Sequence, residues 1–339
     1  MANVKRAFHF LTNRVGHERN GLLMDKQATK VINRPKKRSI FRDRASWELL
    51  LLCLPALVGY VMFCYVPMVS GVVLPFKNYK FAKGIFGSPW CGLKNFEVLI
   101  KSSQMSRIMR NTVLYSVWFM IIGPVFNIIF ALLLFEIKNR GALKFYQTVI
   151  TFPNFMSMVV VGFITYAVLA PKMGLLDQVV RAFGGTPVDV YMEAKYWPAI
   201  LTIVNVWKGV GMGSMMYFAS LMGIDVSLYE AAKIDGANRW QQTWYISLTH
   251  LIPLVCIFTI LACGSIFSGS FDLFYNIPRN VTILYETTDI LNTYVYRMLQ
   301  AGTYTQGAAV GFFQSIAGLI LVVATNLIVR KISPENSLF

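Results

Sequence analysis

Long apolar runs separated by shorter polar segments dominate the hydropathy pattern of this chain. Six runs each hold the roughly 20 mostly apolar residues that a helix needs to cross a hydrocarbon layer about 30 Å thick. The runs cover residues 48–74, 111–135, 145–170, 197–222, 250–270 and 306–329. This pattern predicts an all-α polytopic membrane protein with about six transmembrane helices.

Charge predicts the orientation of these helices. Residues 1–47 hold twelve Lys or Arg side chains, and basic flanks stay on the cytoplasmic side of a membrane. With six crossings we expect both termini in the cytoplasm, together with the loops at 136–144 and 223–249. The predicted outer segment 75–110 is also basic, which runs against this orientation. We give the N-terminal cluster priority because the first helix usually dominates.

Composition supports a membrane protein. Of the 339 residues, 55% are hydrophobic and 14% are charged, whereas charged residues make up about a quarter of a soluble domain. The net charge of +16 could indicate nucleic-acid binding, but basic residues beside membrane helices are also what anionic lipids of the cytoplasmic leaflet attract. We therefore attribute the charge to topology and expect no nucleic-acid partner.

We expect three parts along the chain: a basic cytoplasmic arm over 1–47, a transmembrane domain over 48–330, and a cytoplasmic tail over 331–339. Within the arm, apolar residues share a possible helical face among basic ones: Val4, Phe8, Leu11 and Val15. A helix lying on the membrane surface and a solvated tail both fit this pattern.

The polar segment between the fourth and fifth runs carries the most specific motif. Ser227 stands three residues before Glu230, the spacing of a capping box, in which each side chain binds the other residue's backbone N–H. We therefore expect a helix to start at Ser227. The small side chains of Ala231 and Ala232 give the helix a flat surface that a partner can approach closely. Gly236 permits a turn into a second short helix. This arrangement favours docking into a groove on another protein.

The segment resembles the EAA loop of permease subunits of ABC importers. That motif reads Glu-Ala-Ala, three residues, Gly, nine residues and Ile-x-Leu-Pro, and the spacing is kept here from Glu230 through Gly236 and Ile246 to Leu248. Four further segments are similar to the sugar-permease branch, and most of all to permeases for polysaccharide fragments: residues 87–90, 92–96, 229–240 and 309–315. The resemblance covers nearly everything after Arg38.

Thr249 departs from the family pattern, which has proline at this position. Threonine keeps its backbone N–H, so the second coupling helix is free to continue toward His250. We expect the helix to break at 251–253 instead, where Pro253 lies.

The resemblance implies the transmembrane permease subunit of an ATP-driven importer for carbohydrate, with an oligosaccharide as the expected substrate, working by alternating access. It implies four kinds of partner in a bacterial cytoplasmic membrane: a second homologous permease, two ABC ATPase subunits, an extracellular solute-binding protein and the sugar. ATP and Mg would be bound by the ATPases, and this chain would bind no cofactor. The residues implied in ATPase coupling are Ser227, Glu230, Ala231, Ala232, Gly236, Ile246 and Leu248. Segment 76–110 would help to receive the solute-binding protein, or would only cap the helices.

Polar side chains within the runs are candidates for the solute path, because such groups face the bundle interior or water. Lys208 lies near the middle of the fourth run, with Asn205 one turn before it. It either lines the path and attracts carboxylated sugars or pairs with an acidic neighbour or a helix end, and we favour the structural role. Asp272 and Gln314 are further candidates, although such residues more often join helices by hydrogen bonds.

Motifs for enzyme chemistry are missing from the sequence. With three histidines the chain has no H-E-x-x-H zinc motif, and it has neither a G-x-S-x-G elbow nor a G-x-x-x-x-G-K-[ST] phosphate loop. We expect no enzyme and no metal site. Two other functions stay open. A secondary transporter would need an ion-coupling site and would be driven by membrane potential. A receptor or scaffold would show no sugar-stimulated ATP hydrolysis in its complexes.

Overall fold

The computed structural model describes residues 44–332, so most of the predicted basic arm, including Val4–Val15, and the predicted tail beyond residue 332 lie outside it. The chain divides into two compact units, Met1–Pro67 and Met68–Phe339. Between residues 44 and 332 the regular secondary structure is helical, apart from two isolated β-bridges, Lys77 to Trp90 and Lys80 to Gly84. This confirms the all-α fold class.

The α-helices of the described residues are α1 Arg44–Tyr60, α2 Val66–Val73, α3 Gly84–Gly87, α4 Lys94–Lys101, α5 Ser103–Phe135, α6 Arg140–Thr151, α7 Met158–Leu169, α8 Leu175–Ala182, α9 Trp197–Leu221, α10 Val226–Ile234, α11 Arg239–Gln242, α12 Leu248–Gly264, α13 Phe271–Asn276, α14 Tyr285–Thr288, α15 Leu291–Gln300 and α16 Tyr304–Ile332. Turns of π-helix cover Val61–Tyr65 and Thr243–Ser247, and 3₁₀ turns cover Leu74–Phe76, Phe81–Lys83, Phe152–Phe155, Ala194–Tyr196 and Thr282–Leu284.

Five helical runs between residues 44 and 332 are long and apolar enough to span a membrane, and a bent pair of helices raises the number to six if it counts as one span. The five are Trp47–Phe76, Ser103–Phe135, Ala194–Leu221, Arg239–Gly264 and Tyr304–Lys331. They confirm the prediction of about six transmembrane helices.

The third predicted run, 145–170, is not one straight helix. Arg140–Phe155 and Met158–Leu169 meet at an angle of 97°. Pro153 cannot donate a backbone hydrogen bond, and Ser157 begins α7 by accepting the N–H of Val160 on its hydroxyl at 3.3 Å. The bend therefore has a chemical origin on both sides.

The fifth predicted run, 250–270, also needs correction. The helical stretch starts at Arg239, passes through the π turn Thr243–Ser247 and ends at Gly264. The break expected at 251–253 is wrong, because α12 runs through Pro253 just as α5 runs through Pro124. A proline removes one backbone hydrogen bond, and the rest of a membrane helix can absorb that loss.

Packing of α9 organises the core and positions the segment that follows it. A Cβ on Gly211 would overlap the carbonyl of Ile150 in α6, and one on Gly213 would overlap the side chain of Asn127 in α5, so these glycines permit close helix contact. One buried cluster lies at the end of α9 and comprises Ala131, Tyr217, Leu221, Ile224 and Leu251. We call it the coupling-end cluster, because it supports residues 223–249.

Candidate functional site

Helix α10 begins at Val226, one residue earlier than predicted. Its N-cap is Asp225, whose Oδ1 accepts the N–H of Ser227 at 3.0 Å. This bond lowers the pKa of the Asp225 carboxyl, because it favours the charged form. The predicted capping box of Ser227 and Glu230 is therefore wrong. Aspartate is as good an N-cap as serine. Because Asp225 lies two residues before Ser227 and caps the helix there, Ser227 becomes a residue of the first helical turn.

Gly236 ends α10 in the left-handed conformation, with φ +81°. The N–H of Ala237 donates to the carbonyl of Ala232 at 2.8 Å, and the N–H of Gly236 donates to the carbonyl of Lys233 at 3.2 Å. These two bonds form a Schellman motif, which needs a positive φ at the glycine position. The predicted turn between two short helices is present.

Helix α11 starts with a capping box of its own. Asn238 Oδ1 accepts the N–H of Gln241, and Gln241 Oε1 accepts the N–H of Asn238, both at 2.8 Å. The rings of Trp240 and Trp244 stack with centroids 6.3 Å apart. The N-x-x-Q spacing of Asn238 and Gln241 is the sequence signal for this box, which was not among the predictions.

One contact within residues 223–249 and two contacts to the helix bundle hold this segment in place. The hydroxyls of Tyr229 and Ser247 lie 2.9 Å apart and join α10 to the turn before α12. The side chains of Tyr229 and Ile246 pack against the coupling-end cluster. Arg239 Nη1 lies 2.5 Å from the carboxylate of Glu136, the residue after α5. The segment is therefore braced against three of the long helices.

The same segment exposes an apolar surface. Ile234 is 86% exposed and Trp240 is 73% exposed, and further large apolar side chains are exposed around them: Val226, Leu228, Trp244 and Tyr245. The residues predicted for coupling divide into two groups. Ser227, Glu230, Ala231 and Gly236 are exposed, whereas Ala232, Ile246 and Leu248 are half-buried. A firmly held apolar surface of this kind is typical of a docking site.

The predicted solute-path residues have different surroundings in the structure. Lys208 Nζ donates to the carbonyl of Asn154 at 3.0 Å, in the 3₁₀ turn that follows α6. Gln314 donates to the carbonyl of Phe267 at 2.9 Å and to Asn292 Oδ1 at 3.0 Å. Asp272 is exposed at the start of α13, and Asn205 is half-buried on α9. Within the described part of the chain, no group of three His, Cys, Asp or Glu side chains is placed to hold a metal ion.

Comparison with known proteins identifies the family. Residues 123–335 match the family described as binding-protein-dependent transport system inner membrane component. The chain belongs to this family. It is therefore a multi-pass membrane permease subunit and not a catalytic enzyme.

Named relatives and solved structures cover most of this permease. The polygalacturonan/rhamnogalacturonan transport system permease protein YteP of Bacillus subtilis (strain 168) is 33% identical over 303 residues, 89% of this chain and 93% of the relative. Protein LplB of the same strain is 30% identical over 294 residues, 86% of this chain and 91% of the relative. A bacterial ABC transporter involved in the import of the acidic polysaccharide alginate matches with a TM-score of 0.78 and 30% identity, over 87% of this chain and 98% of that chain. A bacterial alginate ABC transporter in complex with an alginate pentasaccharide-bound periplasmic protein matches with a TM-score of 0.79 and 29% identity, over 88% of this chain and 99% of that chain.

One buried ion pair of this permease was not predicted from the sequence. Asp289 is 1% exposed, and both of its carboxylate oxygens accept from Arg297 Nη2, at 2.7 and 2.6 Å. Thr293 Oγ1 donates to the same carboxylate at 2.9 Å, and Asn111 donates to the Asp289 carbonyl at 3.2 Å. Asp289 lies before the start of α15 and Arg297 lies within it, eight residues later, so no helical spacing in the sequence predicts their pairing.

Proposed function

We propose that this permease is a transmembrane subunit of an ATP-driven importer that carries oligosaccharides across a bacterial cytoplasmic membrane. Support for a carbohydrate comes from the name of the relative YteP, which refers to polygalacturonan and rhamnogalacturonan, and from the two alginate transporter structures. The alginate complex, which includes a periplasmic protein, supports an extracellular solute-binding protein as a partner. A second homologous permease and two ATPases complete the proposed assembly.

The braced apolar surface of residues 223–249 carries this proposal. Ile234, at 86% exposed, and Trp240, at 73%, would be costly to leave in water unless a partner covers them. The proposed partner is the ATPase, which binds ATP and Mg. Glu230, Ala231 and Gly236 would contact it directly, whereas the half-buried Ile246 and Leu248 would transmit the movement to α12.

Alternating access would follow from this attachment. When the ATPases close on ATP, α10 and α11 move with them as one rigid piece. Tyr229 passes the movement to α12 through Ser247, and Arg239 passes it to the end of α5 through Glu136. The helices then swing to open a cavity toward the solute-binding protein, and ATP hydrolysis resets the cavity toward the cytoplasm.

Uptake of a labelled oligosaccharide into proteoliposomes tests the proposal. The complete complex is reconstituted with ATP inside and with the loaded binding protein outside. We expect uptake that requires ATP and survives an ionophore that collapses the membrane potential. Uptake driven by the potential without ATP would establish a secondary transporter. A complex that neither moves oligosaccharide nor hydrolyses more ATP in its presence would establish a receptor or scaffold.

A further inference from the structure

A cavity of about 390 Å³ lies between α5, α9 and α14. Its lining includes one cation, two aromatic rings and three hydrogen-bonding side chains: Arg110, Asn111, Tyr115, Trp118, Thr202 and Thr287. Such polar groups beside membrane helices normally face a water-filled path or the bundle interior and not lipid. The residues lie at the end of α5 and α9 opposite to the coupling segment, the predicted outer end.

Trp118 forms a fixed wall of this cavity. Its Nε1 donates to Thr202 Oγ1 at 3.1 Å, and the threonine hydroxyl donates in turn to the carbonyl of Pro198 at 2.7 Å. A tryptophan that anchors a helix at the membrane interface turns its N–H toward water and lipid headgroups. Here the polar edge is bound to the neighbouring helix, and 47% of the side chain stays exposed. The face of the ring is therefore available for stacking.

Tyr115 contributes part of the wall of the same cavity. The residue is only 9% exposed and its ring packs edge-on against Phe274, with centroids 4.6 Å apart. Its hydroxyl is buried and has no hydrogen-bond partner within the described residues. Burying a hydroxyl in this way is costly. Because the hydroxyl oxygen is closed off, a ligand in the cavity can pack against Tyr115 but cannot bond to its hydroxyl.

Arg110 is the cation of the cavity that no neighbour neutralises. Among residues 44–332, none of the ion pairs includes Arg110, whereas Arg297 is bound to Asp289 and Arg107 lies 3.9 Å from the same carboxylate. Lys208 donates to the carbonyl of Asn154. A guanidinium in this situation matches the geometry of a carboxylate, which it can bind by two parallel hydrogen bonds.

We propose that this cavity is a binding subsite for a uronate residue of the transported oligosaccharide. Arg110 holds the carboxylate, and Trp118 stacks on the sugar ring. Asn205 lies one helical turn beyond Thr202 on α9 and continues the polar surface inward. This inference rests on the proposed function and names its substrate class as acidic.

The test compares a galacturonate trimer with its methyl ester in the reconstituted complex. The ratio of acid uptake to ester uptake is measured for wild type and for each variant with the same binding protein, so that the preference of that protein cancels. We expect Arg110→Gln to lower the ratio about tenfold, because it removes a charge-assisted bidentate bond. Arg110→Lys keeps the charge without the planar fork and lowers the ratio less. Lys172→Gln removes an exposed cation outside the cavity and leaves the ratio unchanged.

Trp118→Leu provides an independent measurement. It removes the aromatic face that stacks on the sugar ring. We expect uptake of the acid and of the ester to fall together while assembly is unchanged. Should Arg110→Gln fail to assemble, the ratio for Arg110→Lys decides.

Several outcomes would overturn the inference. They are an unchanged ratio in the Arg110 variants, an equal loss of acid and ester in those variants, or normal uptake by Trp118→Leu. In each of these cases wild-type uptake still upholds the proposed function. A wild-type complex that moves neither trimer overturns both.

Discussion

Arg239 and Glu136 form an ion pair, with Nη1 of the guanidinium 2.5 Å from Oε2 of the carboxylate. The pair joins the first residue of α11 to the residue that follows α5, across 103 positions of the chain. Both side chains are largely exposed, so the pair contributes little to stability, about 0.2–1 kcal/mol. Its importance is positional, since it ties the exposed apolar surface to a long membrane helix.

This tie predicts the behaviour of a charge exchange. Glu136→Arg or Arg239→Glu alone should lower the amount of sugar transported per ATP hydrolysed, because each places two like charges together. The double variant should recover much of the wild-type ratio. Uptake and ATP hydrolysis are measured on the same proteoliposomes. If the double variant transports no more sugar per ATP than either single variant, the ion pair does not take part in coupling.

The N-cap of α10 predicts a pH dependence. The hydrogen bond from Ser227 lowers the pKa of Asp225, so the carboxylate stabilises the helix fully above its unfolded pKa of about 4. This stabilisation is lost as pH falls through the lower folded value. Hydrogen exchange of the α10 amides, corrected for the intrinsic rate, should show protection decreasing in acid.

Two variants separate the cap from the predicted capping box. Asp225→Asn keeps an N-cap and should weaken the pH dependence. Ser227→Ala should leave protection nearly unchanged, because the backbone N–H of Ser227 is the donor in the cap. Greater loss of protection in Ser227→Ala than in Asp225→Ala would favour a capping box of Ser227 and Glu230.

Lys208→Met tests the structural role of this lysine. The substitution removes the donor to the Asn154 carbonyl at the bend between α6 and α7, and should reduce the free energy of unfolding by about 1–3 kcal/mol. Assembly with the partner subunits should fall with it, while the ratio of acid to ester uptake stays at the wild-type value. Normal assembly with a selective loss of uronate uptake would instead make Lys208 a residue of the solute path.

Burial predicts different costs for two ion pairs of the predicted outer region. Arg297→Met leaves the buried carboxylate of Asp289 without its main partner and should cost about 3–5 kcal/mol. Lys101→Met breaks the exposed pair with Glu97 and should cost less than about 1 kcal/mol. Unfolding of the purified complex measures both. Equal effects would contradict the assignment of Asp289 and Arg297 as a structural pair.

Local patterns predicted the features whose chemistry is local. Apolar runs of sufficient length indicated the membrane helices, and Gly236 indicated its turn, because only a positive φ closes a Schellman motif there. Competition between neighbours was harder to judge. Asp225 and Ser227 are both good N-caps, and the sequence does not rank them. Pro153 accompanies a bend whereas Pro124 and Pro253 lie inside helices, because the outcome depends on the surrounding packing.

Contacts between residues far apart in the chain could not be predicted from the sequence. Lys208 meets Asn154 across 54 residues, and Arg239 meets Glu136 across 103. The cavity beside Arg110 exists because α5, α9 and α14 converge on it, and no segment of the chain contains more than part of its lining. Charge and hydropathy could show that such polar residues needed a partner or water, but they could not show which residue the partner is.

Substitution of Gly236 tests the central claim, that residues 223–249 dock on the ATPase. A Cβ there would meet no neighbour, so Gly236→Val acts through backbone strain alone, on the order of 1–3 kcal/mol. Gly236→Asn is a control, because asparagine accepts the left-handed conformation. Gly302→Val is a second control, because Gly302 ends α15 in the same motif with φ +75° at the opposite end of the permease.

The measurement is the amount of ATPase that stays bound to the purified permease, taken with uptake by the same preparation. We expect Gly236→Val to insert into the membrane, to retain about tenfold less ATPase and to lose uptake, whereas Gly236→Asn and Gly302→Val retain the ATPase. Wild-type ATPase retention and uptake by Gly236→Val would contradict the claim.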